Sequence, residues 1–355
     1  MTPGVGSHRF LSAARQLTLD EGLGEPEELT IEDVFFPVEQ RTIYLPAAES
    51  GEGTTSRESF HKLPRHRAII DVERDHVFAV VSDSYRLVTN FDAVLEGVKC
   101  FQVVFSQETS EKMEFYAAHM PKSRSFCHVD FTLAGYEFVP MRGDAWLPFL
   151  RVTNSYNRSK PLVFDFGFCR ALCKNGVIFG AKRSAVKRYH TYGRMGLHAK
   201  GLNMEGVLKL QNEFTEKLQN LGRFHVSPQQ MLALACKVFK IEVTDTQLQD
   251  PRSTQRLITL GRHLRALTAN YSSEMGHTAY AALNVLTDFA SRPVGLGFAP
   301  ESRMHSLQER SGRWIEEFVA EAKKDSFRIE QYVVSATDTA DLLSKLAQDA
   351  PSIRS

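Results

Sequence analysis

The sequence predicts an α+β fold, in which a β-rich N-terminal part of mostly antiparallel sheet precedes a helical C-terminal part. Up to about residue 200, apolar and aromatic residues occur in short, often alternating runs separated by polar residues, Gly or Pro, which is typical of strands. After Gly201 the apolar residues recur every 3.6 residues or so, as in amphipathic helices. Because strands and helices are segregated along the chain, the pattern argues against a parallel βαβ sheet.

The predicted strands all lie in the first part of the chain. They are RAIIDV, HVFAVVSD, YRLV, CFQVVFS, MEFYAAHM, FCHVDFTL, PFLRVTNS and PLVFDFGFCRALC. The stretch PAAESGEGTTSRESF (46–60) has few apolar residues and is interpreted as a surface loop. We therefore divide the chain into an N-terminal extension (1–30), a β-rich α+β domain (31–200) and a helical domain or subdomain (201–355).

The helical part has recognisable start signals and apolar stripes. In SPQQMLALACKVF, Ser227 is a predicted N-cap, Pro228 takes the first helical position and Gln230 completes a capping box. Further helices are predicted in DPRSTQRLITLGRHLRALTANY, HTAYAALNVLTDFAS and SLQERSGRWIEEFVAEAKK, with a short last one in TADLLSKLAQDA. The helix NMEGVLKLQNEFTEKLQNLG, with Asn203 as N-cap and Gly222 after its end, has one apolar stripe: Val207, Leu210, Phe214, Leu218 and Leu221.

Composition narrows the class of protein. The 355 residues are 43% hydrophobic, enough for a substantial core, and no apolar run approaches the roughly 18 to 20 residues of a membrane span. The expectation is therefore a protein without a membrane partner. The five cysteines are an odd number without dense spacing, and no basic-then-apolar leader starts the chain, so we expect free thiols in the cytoplasm.

Two cysteines four residues apart raise the question of a metal or thiol site. Cys169 and Cys173, with His190 and His198, could supply four zinc ligands, but no second cysteine pair is present. A nucleophilic thiol with His190 as base is the other chemical interpretation. Because both cysteines lie in an apolar run, we interpret them as packed thiols and predict no metal and no other cofactor.

The segment from Arg170 to Lys200 contains many cations and no Asp or Glu. Net charge over the whole chain is only +1, so any attraction for an anionic polymer must come from such local clusters. Tyr189, Tyr192 and His190 interleave with the cations, and rings among cations are the combination that holds single-stranded nucleic acids. The alternative is a solvated basic loop.

A second stretch without acidic residues, 251–273, adds further cations on a predicted helix. Arg262 and Arg265 would lie on one face, with Arg252 and Arg256 as a nearby i,i+4 pair. A carboxylate cluster for Mg²⁺ and nuclease chemistry would instead need several acids to converge, which their spacing does not require. These acids are Asp71, Glu73, Asp75, Asp83, Asp92 and Asp165.

Several blocks of the sequence, spread in order over about residues 60 to 295, resemble a family. HVFAVVSDSYRLVTNFDAV, LRVTNSYNRSKPLVFDFGFCRALCKNG, RYHT and HTAYAALNVLTDFAS resemble successive motifs of the phage/plasmid-like proteins classed as domain of unknown function 932. The small Gly after the second motif's Asn-Ser-Tyr is Arg158 or Ser159 here, so the resemblance does not establish a tight turn there. The matched residues are Tyr85, Asn90, Asn154, Ser155, Tyr156, Arg170, Cys173, Asn175, His190, Asn284, Thr287 and Asp288.

The resemblance implies a context rather than an activity, namely genes of phages, plasmids and other mobile elements. Together with the basic segment, it favours a non-enzymatic DNA-binding protein, with an oligomeric single-strand binding or annealing factor as the specific hypothesis. The rival hypotheses are a defence or counter-defence factor whose helical part binds another protein, and a Cys/His or metal-dependent enzyme. The predicted contact residues are Arg170, Asn175, Lys182, Arg183, Lys187, Arg188, Tyr189, His190, Tyr192, Arg194, Arg262 and Arg265.

Overall fold

The fold is of the predicted α+β class: antiparallel sheets occupy the N-terminal half and a set of helices follows. The computed structural model describes residues 29–46, 60–171, 176–178, 186–188, 204–296 and 300–349. Most of the predicted N-terminal extension (1–30) and nearly all of the predicted loop (46–60) lie outside these residues. No helix in the described ranges is long and apolar enough to cross a membrane.

The chain enters the fold through a short helix and a small sheet. Helix α1 (Ile31–Val34) begins at a capping box formed by Thr30 and Asp33. Strands β1 (Val38–Pro46), β2 (Phe60–Asp71) and β3 (His76–Ser82) then form an antiparallel sheet in the order β1-β2-β3. Strand β3 pairs with β2 only from His66 onward, so residues 44–46 and 60–62 extend past it as a two-stranded ribbon. We call this ribbon the β1–β2 arm.

One predicted strand is wrong, because CFQVVFS lies inside helix α2 (Asn90–Ser110). The β-branched pair Val103-Val104 suggested a strand, but the run continues a helix that starts upstream. Thr89 caps that helix, since its hydroxyl accepts a hydrogen bond from the Asp92 backbone amide at 3.1 Å. The same hydroxyl donates to the Asp92 carboxylate at 2.8 Å. The predicted strand YRLV is also wrong, because residues 86–89 have no regular structure.

The larger sheet has seven antiparallel strands. They are β4 (Met113–His119), β5 (Phe126–Leu133), β6 (Phe138–Met141), β7 (Asp144–Ser155), β8 (Leu162–Arg170), β9 (Gly176–Ile178) and β10 (Val186–Arg188). Their order is β10-β8-β7-β5-β4, with β6 paired to β7 and β9 to β8. Strand β10, which carries two of the predicted contact residues, is therefore at one end of the strand order.

The helical part contains the predicted helices and one short addition. Ser227 and Gln230 form the predicted capping box, and the last helix is longer than the predicted TADLLSKLAQDA segment. The helices are α3 (Met204–Leu221), α4 (Pro228–Phe239), α5 (Asp245–Gln249), α6 (Pro251–Met275), α7 (Ala279–Ser291), α8 (Pro300–Ala322) and α9 (Ile329–Asp349).

Sheet and helices share one apolar core. The predicted stripe of α3 is confirmed at Phe214, Leu218 and Leu221, which are all buried. The Phe214 ring lies 5.0 Å from that of Phe168 and 5.2 Å from that of Trp146. This core holds the seven-stranded sheet rigidly against the helices, so features at the sheet's edge and at its turns have a stable support.

Candidate functional site

The face of the sheet opposite the apolar core carries buried polar side chains from three neighbouring strands. The cross-strand partners are His128 with Thr153, and Arg151 with both Asp130 and Asp165. All five side chains are buried. The sequence contained a signal for this arrangement, because polar residues alternate with apolar ones within two predicted strands, FCHVDFTL and PFLRVTNS.

Arg151 is the centre of this polar cluster. Its Nε and Nη2 atoms donate to the two carboxylate oxygens of Asp130 at 2.6 and 2.5 Å, a bidentate geometry. Nη1 donates to the Gln308 side chain on helix α8. The arginine thus ties the sheet to α8 and has no exposed surface to offer to a ligand.

Two histidines complete the cluster. The His128 and His305 rings stack with centroids 5.6 Å apart, and His128 Nδ1 lies 2.7 Å from the Thr153 hydroxyl. His305 Nε2 is 3.6 Å from a carboxylate oxygen of Asp165. Burial, followed by the nearby positive charge of Arg151, holds the pKa of His128 well below its ordinary value, so this imidazole is neutral. An enclosed neutral ring of this kind supports packing rather than proton transfer to a substrate.

Arg170 was predicted to contact a phosphate, but it is buried and belongs to a second buried polar group. Its Nε donates to Asp144 at 2.5 Å, and its Nη2 is 3.7 Å from Glu274 on α6. The Tyr280 hydroxyl donates to the other oxygen of Asp144. Buried arginines are retained where carboxylates compensate their charge, and Arg170 has that role at the junction of sheet and helices.

Among the other predicted contact residues, the structure gives the backbone positions of Lys187 and Arg188. They lie in strand β10, opposite Val163 and Leu162 of β8 respectively. Seven predicted contacts lie outside the described residues: Asn175, Lys182, Arg183, Tyr189, His190, Tyr192 and Arg194.

The arginines of α6 divide into two kinds. Arg252 and Arg256, near the start of the helix, are exposed, whereas Arg262 and Arg265 are half-buried. Arg265 Nη1 donates to the backbone carbonyl of Ser344 on helix α9 at 3.3 Å. The two arginines predicted as contacts are thus the less accessible pair.

The turn between β7 and β8 brings the end of β10 close to the small sheet. Tyr156, at the start of this turn, stacks on Phe78 of β3 with ring centroids 5.2 Å apart. Arg158, within the turn, is exposed and has a positive φ of 62°. Leu162, just after the turn, pairs with Arg188. The residues that flank exposed Arg158 in the chain thus contact the three-stranded sheet on one side and strand β10 on the other.

Several residues that carry the family resemblance form hydrogen bonds between secondary-structure elements in the described part of the chain. The Asn90 amide donates to the Tyr156 hydroxyl at 2.8 Å, and Asn154 Nδ2 donates to Asn90 Oδ1 at 2.9 Å and to the Val88 carbonyl at 3.0 Å. This buried network joins the start of α2 to the end of β7. Burial raises the pKa of Tyr85 to about 12, so its hydroxyl stays protonated.

The last matched block lies on the buried helix α7. Asn284 Nδ2 donates to the Tyr280 carbonyl at 2.9 Å, while the Asp288 carboxylate accepts from the Tyr271 hydroxyl and from Arg292, both at 2.8 Å. The Tyr271–Asp288 bond ties α7 to α6. Cys173, Asn175 and His190, also matched, lie outside the described residues.

The thiols and carboxylates that the sequence singled out do not assemble into a reactive site in the described part of the chain. Cys127, Cys169 and Cys236 are buried free thiols, and burial raises the pKa of Cys127 and of Cys236 to about 12. Asp71 and Glu73 both lie near Arg124, at 3.6 and 2.7 Å. Within the described ranges, no group of three or more His, Cys, Asp or Glu side chains is arranged to hold a metal ion.

Acid is expected to destabilise the protein through His263 on α6. Burial lowers the pKa of His263 from 6.5 to about 4, with nearby Asp288 acting in the opposite direction and Arg292 in the same direction. Because its folded pKa is the lower one, stability is complete above pH 6.5 and is lost as the pH falls toward 4, by roughly 3 kcal/mol from this residue. Urea unfolding between pH 6.5 and pH 4 measures this effect, and the His263→Gln variant should lose less free energy of unfolding than wild type. If variant and wild type show the same pH dependence, His263 is not the source of the acid destabilisation.

Comparison with known proteins gives one match. The family model described as domain of unknown function (DUF932) matches residues 77–312, which span β3 to the middle of α8. No curated protein and no solved structure matches the chain.

Proposed function

We propose that this chain, which belongs to the family described as domain of unknown function (DUF932), binds nucleic acid, with single strands favoured over duplex. The observation that carries the proposal is the stretch 170–200, which has eight Lys and Arg residues and no acid: Arg170, Lys174, Lys182, Arg183, Lys187, Arg188, Arg194 and Lys200. Asp144 compensates Arg170 internally, so the proposal rests on the seven later cations of the segment.

The surroundings of strand β10 support this assignment. Lys187 and Arg188 are on a strand at the end of the sheet order, supported by β8, so their backbone is held in place before any ligand arrives. Exposed Arg158, in the β7–β8 turn that Leu162 follows, extends the basic character toward the three-stranded sheet. Cations carried by a strand of a folded sheet suit a phosphate backbone, because little ordering of the protein backbone accompanies binding.

The phage and plasmid context implied by the resemblance supports a role on mobile-element DNA, as a single-strand binding or annealing factor that acts as an oligomer. The rival hypothesis of a protein partner for the helical part would account for the exposed apolar Leu208 and Val334 on α3 and α9. We favour nucleic acid, because scattered single apolar side chains are ordinary on protein surfaces, whereas a segment of 31 residues with eight cations and no acid is not.

Replacing Lys187, Arg188 and Arg194 together by Ala should weaken nucleic-acid binding without unfolding the protein. Each phosphate contact contributes about 0.7 to the slope of log K against log salt for single strands, so three lost contacts should flatten the slope by about 2. Fluorescence anisotropy with a labelled single-stranded oligonucleotide measures both affinity and slope.

The matched control is Lys209→Ala, Lys323→Ala and Lys345→Ala, which removes the same charge from exposed positions on α3, in the turn after α8 and on α9. It should keep the wild-type slope. Equal slopes in wild type and in the first triple variant would mean that the basic segment is only a solvated loop, and the hypothesis of a protein partner would then be the better one.

A further inference from the structure

The β1–β2 arm exposes two aromatic rings that the fold leaves in water. Tyr44 is 59% exposed and Phe60 is 58% exposed, and Leu45 beside them is also exposed. Aromatic side chains of this size usually contribute to a core, and exposed ones that cluster mark a surface used for binding. The arm extends beyond the end of β3.

The register of the arm places both rings on one face together with a cation. Tyr44 is opposite Lys62 and Pro46 is opposite Phe60, and directly opposed residues of an antiparallel pair share a face, as do residues two apart on a strand. Tyr44 and Phe60 are thus diagonal neighbours, with Cβ atoms about 7 Å apart. That separation is roughly twice the 3.4 Å rise between successive nucleotides, so one base fits between the rings.

Charge on the arm favours an anionic occupant. Lys62 is on the arm, and Arg65 and Arg67 follow it on β2; the arm and the adjoining residues (42–46 and 60–67) contain neither Asp nor Glu. Arg67 Nη1 donates to the Thr42 hydroxyl at 3.2 Å, whereas no carboxylate among the described residues lies within ion-pair distance of Lys62 or Arg65. Glu49, Glu52 and Glu58, in the segment that connects the two strands of the arm, lie outside the described residues. The Asp83 backbone amide donates to the Arg65 carbonyl at 3.0 Å.

We propose that the β1–β2 arm is a base-stacking platform for single-stranded nucleic acid, with Tyr44 and Phe60 against the bases and Lys62 and Arg65 against the phosphates. This inference rests on the proposed function and adds a second contact surface to it. The β7–β8 turn joins the arm's sheet to β10, because Tyr156 at its start stacks on Phe78 of β3 and Leu162 after it pairs with Arg188. Stacking discriminates single strands from duplex, because only unpaired bases present their faces.

The test compares two oligonucleotides of equal length and charge, one with bases and one with abasic sugars throughout. Wild type should bind the strand with bases at least about fivefold more tightly, since one stacked base contributes that much or more. The double variant Tyr44→Ala, Phe60→Ala should lose most of this preference and keep the wild-type salt slope. The conservative double variant Tyr44→Phe, Phe60→Tyr should retain the preference.

Val139→Ala, which removes another exposed apolar side chain on β6, is the matched control and should behave as wild type. If wild type binds neither oligonucleotide, the proposed function itself is wrong. If wild type prefers bases and the Tyr44→Ala, Phe60→Ala variant keeps the same preference, only the arm is excluded, and its exposed rings serve a protein partner instead. Melting temperatures equal to wild type verify that the variants are folded, as expected for side chains more than half exposed.

Discussion

Replacing Phe214 by Asp is expected to lower the free energy of unfolding by about 5 kcal/mol. Phe214 is buried, and its ring contacts those of Trp146, Phe168 and Phe138 with centroids 5.0 to 6.2 Å apart. Loss of a buried Phe costs about 3 to 5 kcal/mol through lost transfer energy and the cavity left behind, and an unpaired carboxylate in that cavity adds to the loss. Against a total stability of about 5 to 15 kcal/mol, this loss is a third or more of the free energy of unfolding.

Leu208→Asp on the same helix is the matched control. Leu208 is 47% exposed, so the same charge there should change stability by no more than about 0.5 kcal/mol. Chemical denaturation followed by circular dichroism measures both variants. A Phe214→Asp protein that unfolds at the same denaturant concentration as wild type would mean that the buried face of α3 is assigned incorrectly.

Replacing Asp130 by Asn is the second change with a large expected effect, a loss of about 3 to 5 kcal/mol. The substitution keeps the size of the side chain but removes the charge that compensates Arg151, whose side chain is 2% exposed. An uncompensated cation in that position has neither water nor a second bidentate partner to replace the carboxylate. The sheet should therefore separate from α8 at lower temperature or denaturant concentration.

Glu39→Gln makes the same carboxylate-to-amide change in the exposed pair of Glu39 with Arg41, whose side chains are about half in solvent. An exposed pair contributes about 0 to 1 kcal/mol, so this variant should melt near wild type. Equal melting temperatures for Asp130→Asn and Glu39→Gln would show that the buried Asp130–Arg151 pair contributes no more to stability than the exposed pair.

Local signals in the sequence predicted the fold class and the helices well. The capping box at Ser227 and the stripe through Phe214 depend on neighbours within one or two turns, and both are present in the structure. The predicted strand CFQVVFS was wrong because its β-branched residues were read alone. The Thr89 cap and the apolar spacing that precede the run are also local signals, and they indicate a helix.

The polar contacts depended on pairing between distant strands and helices, which local patterns do not contain. Arg170 was predicted at the surface because its neighbours in sequence are cationic, yet its carboxylate partners come from β7 and α6. Likewise, nothing local pairs Arg151 with both Asp130 and Gln308, residues up to 157 positions away. The arm was missed because Tyr44 and Lys62 become neighbours only through the β1–β2 register.

The most direct test of the central claim is a salt titration of wild-type protein with a labelled single-stranded oligonucleotide. We predict saturable binding at low salt and a linear fall of log K with log salt, with a slope steeper than about −2, since at least three phosphate contacts are proposed in the basic segment. A duplex of the same sequence should bind more weakly. Absence of saturable single-strand binding at low salt, or an affinity that does not change with salt, would contradict the account.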